Sequence, residues 1–159
     1  MTETDLVANM LKIVREQGVR PEMIIFEIIE TVAMQDAPRT IEMIHAFQEN
    51  GFEIAIDDFG TGYSSLAYLQ RFRAKQLKID RFFTNRLDEN GQEGRAIVSA
   101  IIALAHSLDM DVVAEGVKTG SQLDRLQDMM CDEMQGFLLA KPLSADAFGT
   151  LLEAREVSA

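Results

Sequence analysis

Apolar residues along the chain recur with two different periods, and these periods predict helices that alternate with strands. Over residues 5–17 the apolar positions are three or four apart, as in an amphipathic helix that ends at Gly18. The same period predicts four further helices, at 38–49, 93–108, 121–129 and 144–154. Short apolar runs rich in β-branched residues predict five strands, at 23–28, 52–56, 76–79, 111–114 and, more weakly, 134–139.

The order of these elements predicts an α/β fold. Strands separated by helices form βαβ units, which build a parallel sheet with right-handed crossovers. An open doubly wound sheet and a closed barrel both satisfy the pattern. In either architecture the ligand site lies at the carboxyl ends of the strands, so the residues at those ends indicate the chemistry.

Polar residues in or directly after the predicted strands are mostly carboxylates. They are Glu27, Glu30, Asp57, Asp58, Asp80 and Glu115, accompanied by Lys78 and Gln135. A carboxylate cluster in a partly desolvated mouth repels itself unless cations bind there. Oxygen ligands without His or Cys favour Mg²⁺ or Mn²⁺, and two such ions suit phosphoester hydrolysis.

The alternative for each acid is that it caps the helix that follows it. That alternative is weakest for Asp57 and Asp58, because only one of two adjacent side chains can cap. Lys78 and Asp80 share a face of a short strand, which predicts an ion pair facing the mouth. Gly60 and Gly62 form only a weak phosphate-loop pattern and are better explained as a compact hinge.

Composition limits the classes of function that fit the chain. With 159 residues, 47% apolar and 26% charged, it has the profile of one globular domain. Its net charge of −11 excludes binding of duplex nucleic acid by electrostatics alone. Cys131 is the only cysteine, and the first residues are acidic, so we expect a cytoplasmic protein without membrane contact.

The segment Asp57–Leu66, DDFGTGYSSL, resembles the signature of the EAL domain family of bacterial phosphodiesterases specific for cyclic di-GMP. Four further blocks agree in order and spacing: Phe26–Thr31, Leu77–Asp80, Val113–Val117 and Gln135–Phe137 with Lys141–Leu143. The resemblance implies the fold of a modified TIM barrel. This chain would form only part of it, an incomplete (β/α) barrel. It also implies metal-dependent hydrolysis of cyclic di-GMP to linear pGpG with two Mg²⁺ or Mn²⁺ ions.

The resemblance further implies a role for individual residues. The implied metal ligands are Glu27, Asp57, Asp58 and Glu115. The implied catalytic residues are Lys78, which holds the attacking water and the phosphate, and Glu115, the candidate general base. The implied substrate-binding residues are Lys78, Asp80 and Gln135. Glu30 matches the glutamate that supports the loop containing Gly60 and Gly62. In this family that loop is associated with metal binding and dimerisation.

The sequence departs from the family at three places. The Glu-Ala-Leu motif and the Asn-bearing strand after it have no counterpart, so we expect residues 1–159 to be one EAL-type domain that lacks its opening strands and is poorly active alone. Lys118 stands where a second glutamate is usual, and we expect this reversed charge to weaken metal or substrate binding. Ile29 replaces a usual threonine.

Two classes of function stay open at this point. One is a phosphodiesterase, with a homodimer and an upstream sensory or GGDEF domain as the expected partners. The other is a degenerate EAL domain that binds cyclic di-GMP or contacts proteins without hydrolysis.

Overall fold

The fold is taken from a computed structural model that describes residues 3–62, 65–89 and 91–156. Tyr63 and Ser64 of the signature segment lie outside the described residues. The strands are β1 (Ile25–Ile29), β2 (Glu53–Phe59), β3 (Gln76–Ile79), β4 (Asp111–Glu115) and β5 (Glu133–Gln135). The helices are α1 (Glu3–Glu16), α2 (Glu30–Ala33), α3 (Ala37–Gln48), α4 (Leu66–Phe72), α5 (Arg81–Glu89), α6 (Gly91–Ser107), α7 (Gly120–Asp128) and α8 (Ala145–Glu156), with a 3₁₀ turn at Pro21–Met23.

The strands form one parallel sheet in the order β1-β2-β3-β4-β5. The prediction of parallel strands alternating with helices is therefore confirmed. Within the described residues the sheet does not close on itself, because β1 and β5 lie at opposite edges. The chain thus forms an incomplete barrel with two open edges.

One face of the sheet is apolar and packs against the helices. Its central residues are at most 1% exposed: Ile54, Ile56, Leu77, Ile79, Val112 and Ala114. Large apolar side chains of the helices lie against them, among them Ile44, Leu69, Phe72, Leu87 and Leu126. Burial of this face supplies the main stabilisation of the fold.

The other face of the sheet carries the polar residues. Side chains alternate along a strand, and paired residues of neighbouring strands share a face. The residues that point to this face therefore include Glu27, Asp57, Lys78, Glu115 and Gln135. Lower on the same face Gln76 Nε2 donates to Glu133 Oε1 at 3.0 Å. The alternation of apolar and polar faces therefore gathers the candidate site residues on the side away from the helices.

Several boundaries differ from the sequence prediction. The short helices α2, α4 and α5 were not predicted, because elements of nine residues or fewer hold too few apolar positions to show a period. Strand β2 continues through Asp57–Phe59, beyond the apolar run that predicted it. Strand β5 ends at Gln135, and the next residue, Gly136, lies so close to the Val117 backbone that a Cβ would not fit there.

The segment before β5 is anchored to β4 by Asp132. Its Oδ2 accepts the Val112 amide at 2.8 Å and lies 2.8 Å from His106 Nε2. Burial acts to raise the pKa of Asp132, but the His106 and Val112 hydrogen bonds outweigh it and lower the pKa. Cys131 packs beside them as a buried thiol, and burial raises the pKa of this thiol to about 11.

In the described part of the chain, no helix is long and apolar enough to cross a membrane.

Candidate functional site

Asp57 and Asp58 reach the same site because β2 is irregular at that point. Adjacent residues of a regular strand point to opposite faces. The pairing of β2 with β3 shifts register between Ile56 and Phe59, and Asp58 has a left-handed φ of 55°. Aspartate tolerates this conformation better than most residues. The bulge places both carboxylates near Glu115, with the three ligand oxygens within 4.8 Å of one another.

Lys78 lies at the centre of the polar face and pairs with three carboxylates. Its Nζ is 2.7 Å from Glu27 Oε1, 2.7 Å from Glu115 Oε1 and 3.3 Å from Asp57 Oδ1. The Lys78 side chain is only 7% exposed, so it is a buried ammonium surrounded by acids from three neighbouring strands. It partly neutralises a cluster that would otherwise repel itself.

Burial and the neighbouring charged groups shift the pKa values of Lys78 and Asp58. Burial acts to lower the pKa of Lys78, but the hydrogen bonds to Glu115 and Glu27 and the charges of Glu115 and Asp57 outweigh it and raise the pKa. Burial, followed by the charges of Asp57 and Asp80, raises the pKa of Asp58. One lysine is therefore not enough to balance the acids, and further cations would stabilise the site.

The donor set fits hard divalent cations. Asp57, Asp58 and Glu115 offer only oxygen atoms, which Mg²⁺ and Mn²⁺ prefer. Glu27, a fourth predicted ligand, lies outside this group of three, with its Oε1 held by Lys78 and its side chain 51% exposed. It stands beside the cluster, and while Lys78 holds Oε1, Oε2 is the oxygen with which Glu27 could bind a cation.

Asp80 does not pair with Lys78 as the sequence suggested. Strand β3 ends at Ile79, and the Asp80 carboxylate turns away to accept the Phe82 amide at 2.8 Å. No ion pair between Lys78 and Asp80 occurs among the described contacts. Asp80 instead begins α5 and lies close enough to Asp58 to raise the pKa of that carboxyl.

Glu30 braces the loop that follows β2. Its side chain is 1% exposed, and its Oε2 accepts the Gly60 amide at 2.8 Å. Gly60 has a φ of 93°, and a Cβ there would stand 2.7 Å from the Phe83 ring. Gly62 lies over α2, where a Cβ would stand 2.7 Å from Thr31 Cγ2. Both glycines are therefore needed for the loop to lie against α2 and α5.

The buried carboxyl of Glu30 makes a testable contribution to stability. Burial raises the pKa of Glu30, while the amides of Gly60 and Gly62 act in the opposite direction. Among the described residues, Oε1 has no hydrogen-bond partner. The native state thus binds this proton more tightly than the unfolded state, so the Glu30 contribution falls as the pH rises from about 4.5 toward neutrality.

We therefore expect Glu30→Ala to lower the free energy of unfolding by about 2 kcal/mol, since it leaves the Gly60 amide without its acceptor. Glu30→Gln keeps an acceptor without a buried charge, so at pH 7 it should be at least as stable as the wild type, with less advantage near pH 5. Urea unfolding of the three proteins at both pH values measures this. If both variants lost equal free energy of unfolding at pH 7, the role of Glu30 as acceptor of the Gly60 amide would be contradicted.

Gln135 ends β5 and lines a cavity of about 200 Å³ beside Glu115. Lys118 also lines this cavity, and its Nζ donates to Asn85 Oδ1 at 3.2 Å. The cavity's other lining residues are Arg81, Gly116, Gly136 and Phe137. Ile29 lies in the edge strand β1 opposite Asp57, with 44% of its surface exposed.

The sequence did not indicate that Arg81 and Asn85 belong to this region. Both lie on α5, a helix that the apolar period did not reveal. Their only signal is their place just after the Leu77–Asp80 block, at the carboxyl end of β3.

Comparison with known proteins matches the chain to one domain family and to individual relatives. A family model described as "EAL domain" matches residues 1–142. The chain is 43% identical over 141 residues to the Pseudomonas aeruginosa bifunctional diguanylate cyclase/cyclic di-GMP phosphodiesterase MucR, covering 89% of this chain and 20% of MucR.

Solved structures agree with the fold. The chain resembles the MucR phosphodiesterase in complex with c-di-GMP with a TM-score of 0.81 and 43% identity, covering 85% of this chain and 54% of that one. It resembles Klebsiella pneumoniae BlrP1, in a manganese/c-di-GMP complex, with a TM-score of 0.78 and 31% identity, covering 84% and 34%. The chain spans about a fifth of the length of the curated relatives it matches.

Proposed function

The chain belongs to the EAL domain family, and from that premise we propose that it carries out the hydrolysis of cyclic di-GMP to linear pGpG. The observation that carries the proposal is the convergence of Asp57, Asp58 and Glu115 at the strand ends, with Lys78 between them. Such a cluster of oxygen ligands around one lysine suits phosphodiester chemistry and has no evident structural purpose.

We propose that Asp57, Asp58 and Glu115 hold two divalent cations, Mg²⁺ or Mn²⁺, and that Glu27 completes the set. Bound there, the ions would polarise the phosphodiester and make water a better nucleophile. The manganese and calcium complexes of BlrP1 support a divalent cation in this kind of site. Burial, followed by the charges of Asp57 and Asp80, raises the pKa of Asp58, and a bound cation would offset that repulsion.

Each of the other side chains in the site has its own proposed role in the reaction. Glu115 directs Oε1 toward Lys78, so Oε2 would face both the cation site and the attacking water, whose proton it accepts. Lys78 donates to the phosphate and the water as their negative charge develops. Gln135 and Asp80, at the neighbouring strand ends, orient the substrate. Glu30 holds the loop of Gly60 and Gly62, and so indirectly the two aspartates that precede it.

The context of the domain is also part of the proposal. MucR is named as a bifunctional protein, which supports a parent with an additional GGDEF or sensory domain. We propose a cytoplasmic protein in which residues 1–159 belong to one EAL-type domain, with further metal ligands on strands outside this sequence. The limited activity expected of the isolated chain stays a prediction.

A homodimer is proposed as well. Both edges of the sheet are open within the described residues, and Ile25, Ile29 and Val32 expose more than 40% of their surface at the β1 edge. Unpaired strand edges of this kind favour association. Sedimentation that shows only a monomer at high protein concentration would overturn this proposal.

The second candidate function is a binding or interaction module without hydrolysis. Two observations favour it: Lys118 lies beside Glu115 in place of the family's usual glutamate, and Ile29 stands opposite Asp57 without a hydroxyl. This candidate predicts that cyclic di-GMP binds and is recovered unchanged.

Chromatography of cyclic di-GMP after incubation with the protein tests the proposal. The chain should be compared with a form extended N-terminally to carry the family's Glu-Ala-Leu motif, each in Mg²⁺ and in Mn²⁺. We expect the extended form to yield one linear dinucleotide and the chain alone to yield much less. Binding without any product from the extended form would replace the enzyme with the binding module.

A further inference from the structure

The cavity beside Glu115 is lined by two cationic side chains, although the protein is strongly acidic. Its volume is about 200 Å³, and Arg81 and Lys118 lie in its wall. Among the described residues neither side chain forms an ion pair with Glu115, whose Oε1 is taken by Lys78. Two of the three charged residues that line the cavity are therefore cationic, and the third, Glu115, belongs to the carboxylate cluster.

Contacts around the cavity fix the Lys118 side chain and the position of Arg81 on α5. The Lys118 amide donates to Gln122 Oε1 at 2.8 Å, and its Nζ donates to Asn85 Oδ1 at 3.2 Å, so the side chain is fixed between α5 and α7. Gly116 has a φ of 71°, and a Cβ there would stand 2.6 Å from Arg81 Cβ. The glycine thus allows Arg81 to lie directly against the end of β4.

A cyclic dinucleotide carries two phosphates, and only one of them can react at the carboxylate cluster at a time. The other phosphate must approach a protein of net charge −11, which is unfavourable unless cations meet it. Resting on the proposed function, we propose that Arg81 and Lys118 bind the phosphate that does not react. Lys118 then strengthens substrate binding, in contrast to the weakening expected from the sequence alone.

The test compares a substrate that has a second phosphate with one that lacks it. In the N-terminally extended form, kcat/KM is measured for cyclic di-GMP and for bis(p-nitrophenyl) phosphate, which has a single phosphodiester. Lys118→Met is expected to lower the ratio of the two values about tenfold, mainly through KM for cyclic di-GMP. The matched control is Lys12→Met, which removes an equal charge from the exposed side of α1.

Each outcome decides the inference. If Lys118→Met leaves the ratio of the two kcat/KM values unchanged, or if Lys12→Met lowers it equally, the proposal of a phosphate site is overturned. If the wild type hydrolyses neither substrate, the proposed function fails, and calorimetric titration with cyclic di-GMP in Mg²⁺ decides the site alone. A Kd about tenfold higher in Lys118→Met supports it, whereas equal Kd values, or no binding by the wild type, overturn it.

Discussion

Glu115→Gln is expected to lower kcat for cyclic di-GMP hydrolysis by about 10³-fold, the range over which a positioned general base accelerates a reaction. The amide cannot accept the proton of the attacking water, and it is a poorer ligand for a divalent cation. Lys78 keeps its contacts with Glu27 and Asp57, so the fold around the lysine should persist. The loss should therefore appear in kcat rather than in stability.

Steady-state rates of the extended form measure this effect, and urea unfolding confirms that the variant is folded. Glu42→Gln is the matched control, because Glu42 is an exposed residue of α3 on the helical side of the sheet. A loss in Glu115→Gln of less than about tenfold would show that Glu115 is not the base.

Lys78→Met is expected to lower the free energy of unfolding by about 2–3 kcal/mol in EDTA, because it leaves three carboxylates without their shared cation. The value lies at the low end of the effect for buried pairs, since Glu27 is 51% exposed and partly solvated. Mn²⁺ should raise the free energy of unfolding of the variant toward the wild-type value in EDTA, because the ion neutralises carboxylates that the ammonium no longer balances.

The pH dependence of this loss follows from the raised pKa of Lys78. A base whose pKa is raised by folding contributes fully below its unfolded pKa of about 10.5, and the contribution is lost only as the pH rises through the raised value. The difference in free energy of unfolding between the wild type and Lys78→Met should therefore stay constant from about pH 6 to about pH 10.

Urea unfolding with and without Mn²⁺ measures both effects. Lys75→Met is the matched control, since Lys75 precedes the same strand and pairs with Asp111 at 2.7 Å, but is half exposed. We expect little change from the control in either buffer, because solvent screens an exposed pair. A Lys78→Met protein that is as stable as the wild type in EDTA would contradict the role of Lys78 as an internal counter-cation.

The arrangement of the fold could be predicted largely from the sequence. Short apolar runs separated by amphipathic helices indicated a parallel sheet. The runs mark buried strands, and the helical period marks helices with one buried face. The same reasoning missed α4 and α5, which are only 7 and 9 residues long. It also ended β2 too early, since the apolar run stops at Ile56 while the backbone continues extended through Phe59.

The residues of the candidate site were named from the sequence, but their contacts were not. Alternation in β2 would send Asp57 and Asp58 to opposite faces, and only the bulge with a left-handed Asp58 brings them together. Lys78 was expected to pair with Asp80, a near neighbour in sequence. It pairs instead with acids 21 to 51 positions away, because parallel strands bring distant residues side by side.

Metal-dependent turnover of cyclic di-GMP is the central claim, and removal and return of the metal tests it most directly. The extended form is freed of metal with EDTA, its conversion of cyclic di-GMP is followed by chromatography, and excess Mn²⁺ is then added. We predict no product in EDTA and a single linear dinucleotide after Mn²⁺ is returned, which Glu115→Gln should form about 10³-fold more slowly at the same enzyme concentration. Cyclic di-GMP that stays intact in Mn²⁺, or that is cleaved equally well in EDTA, would contradict the claim.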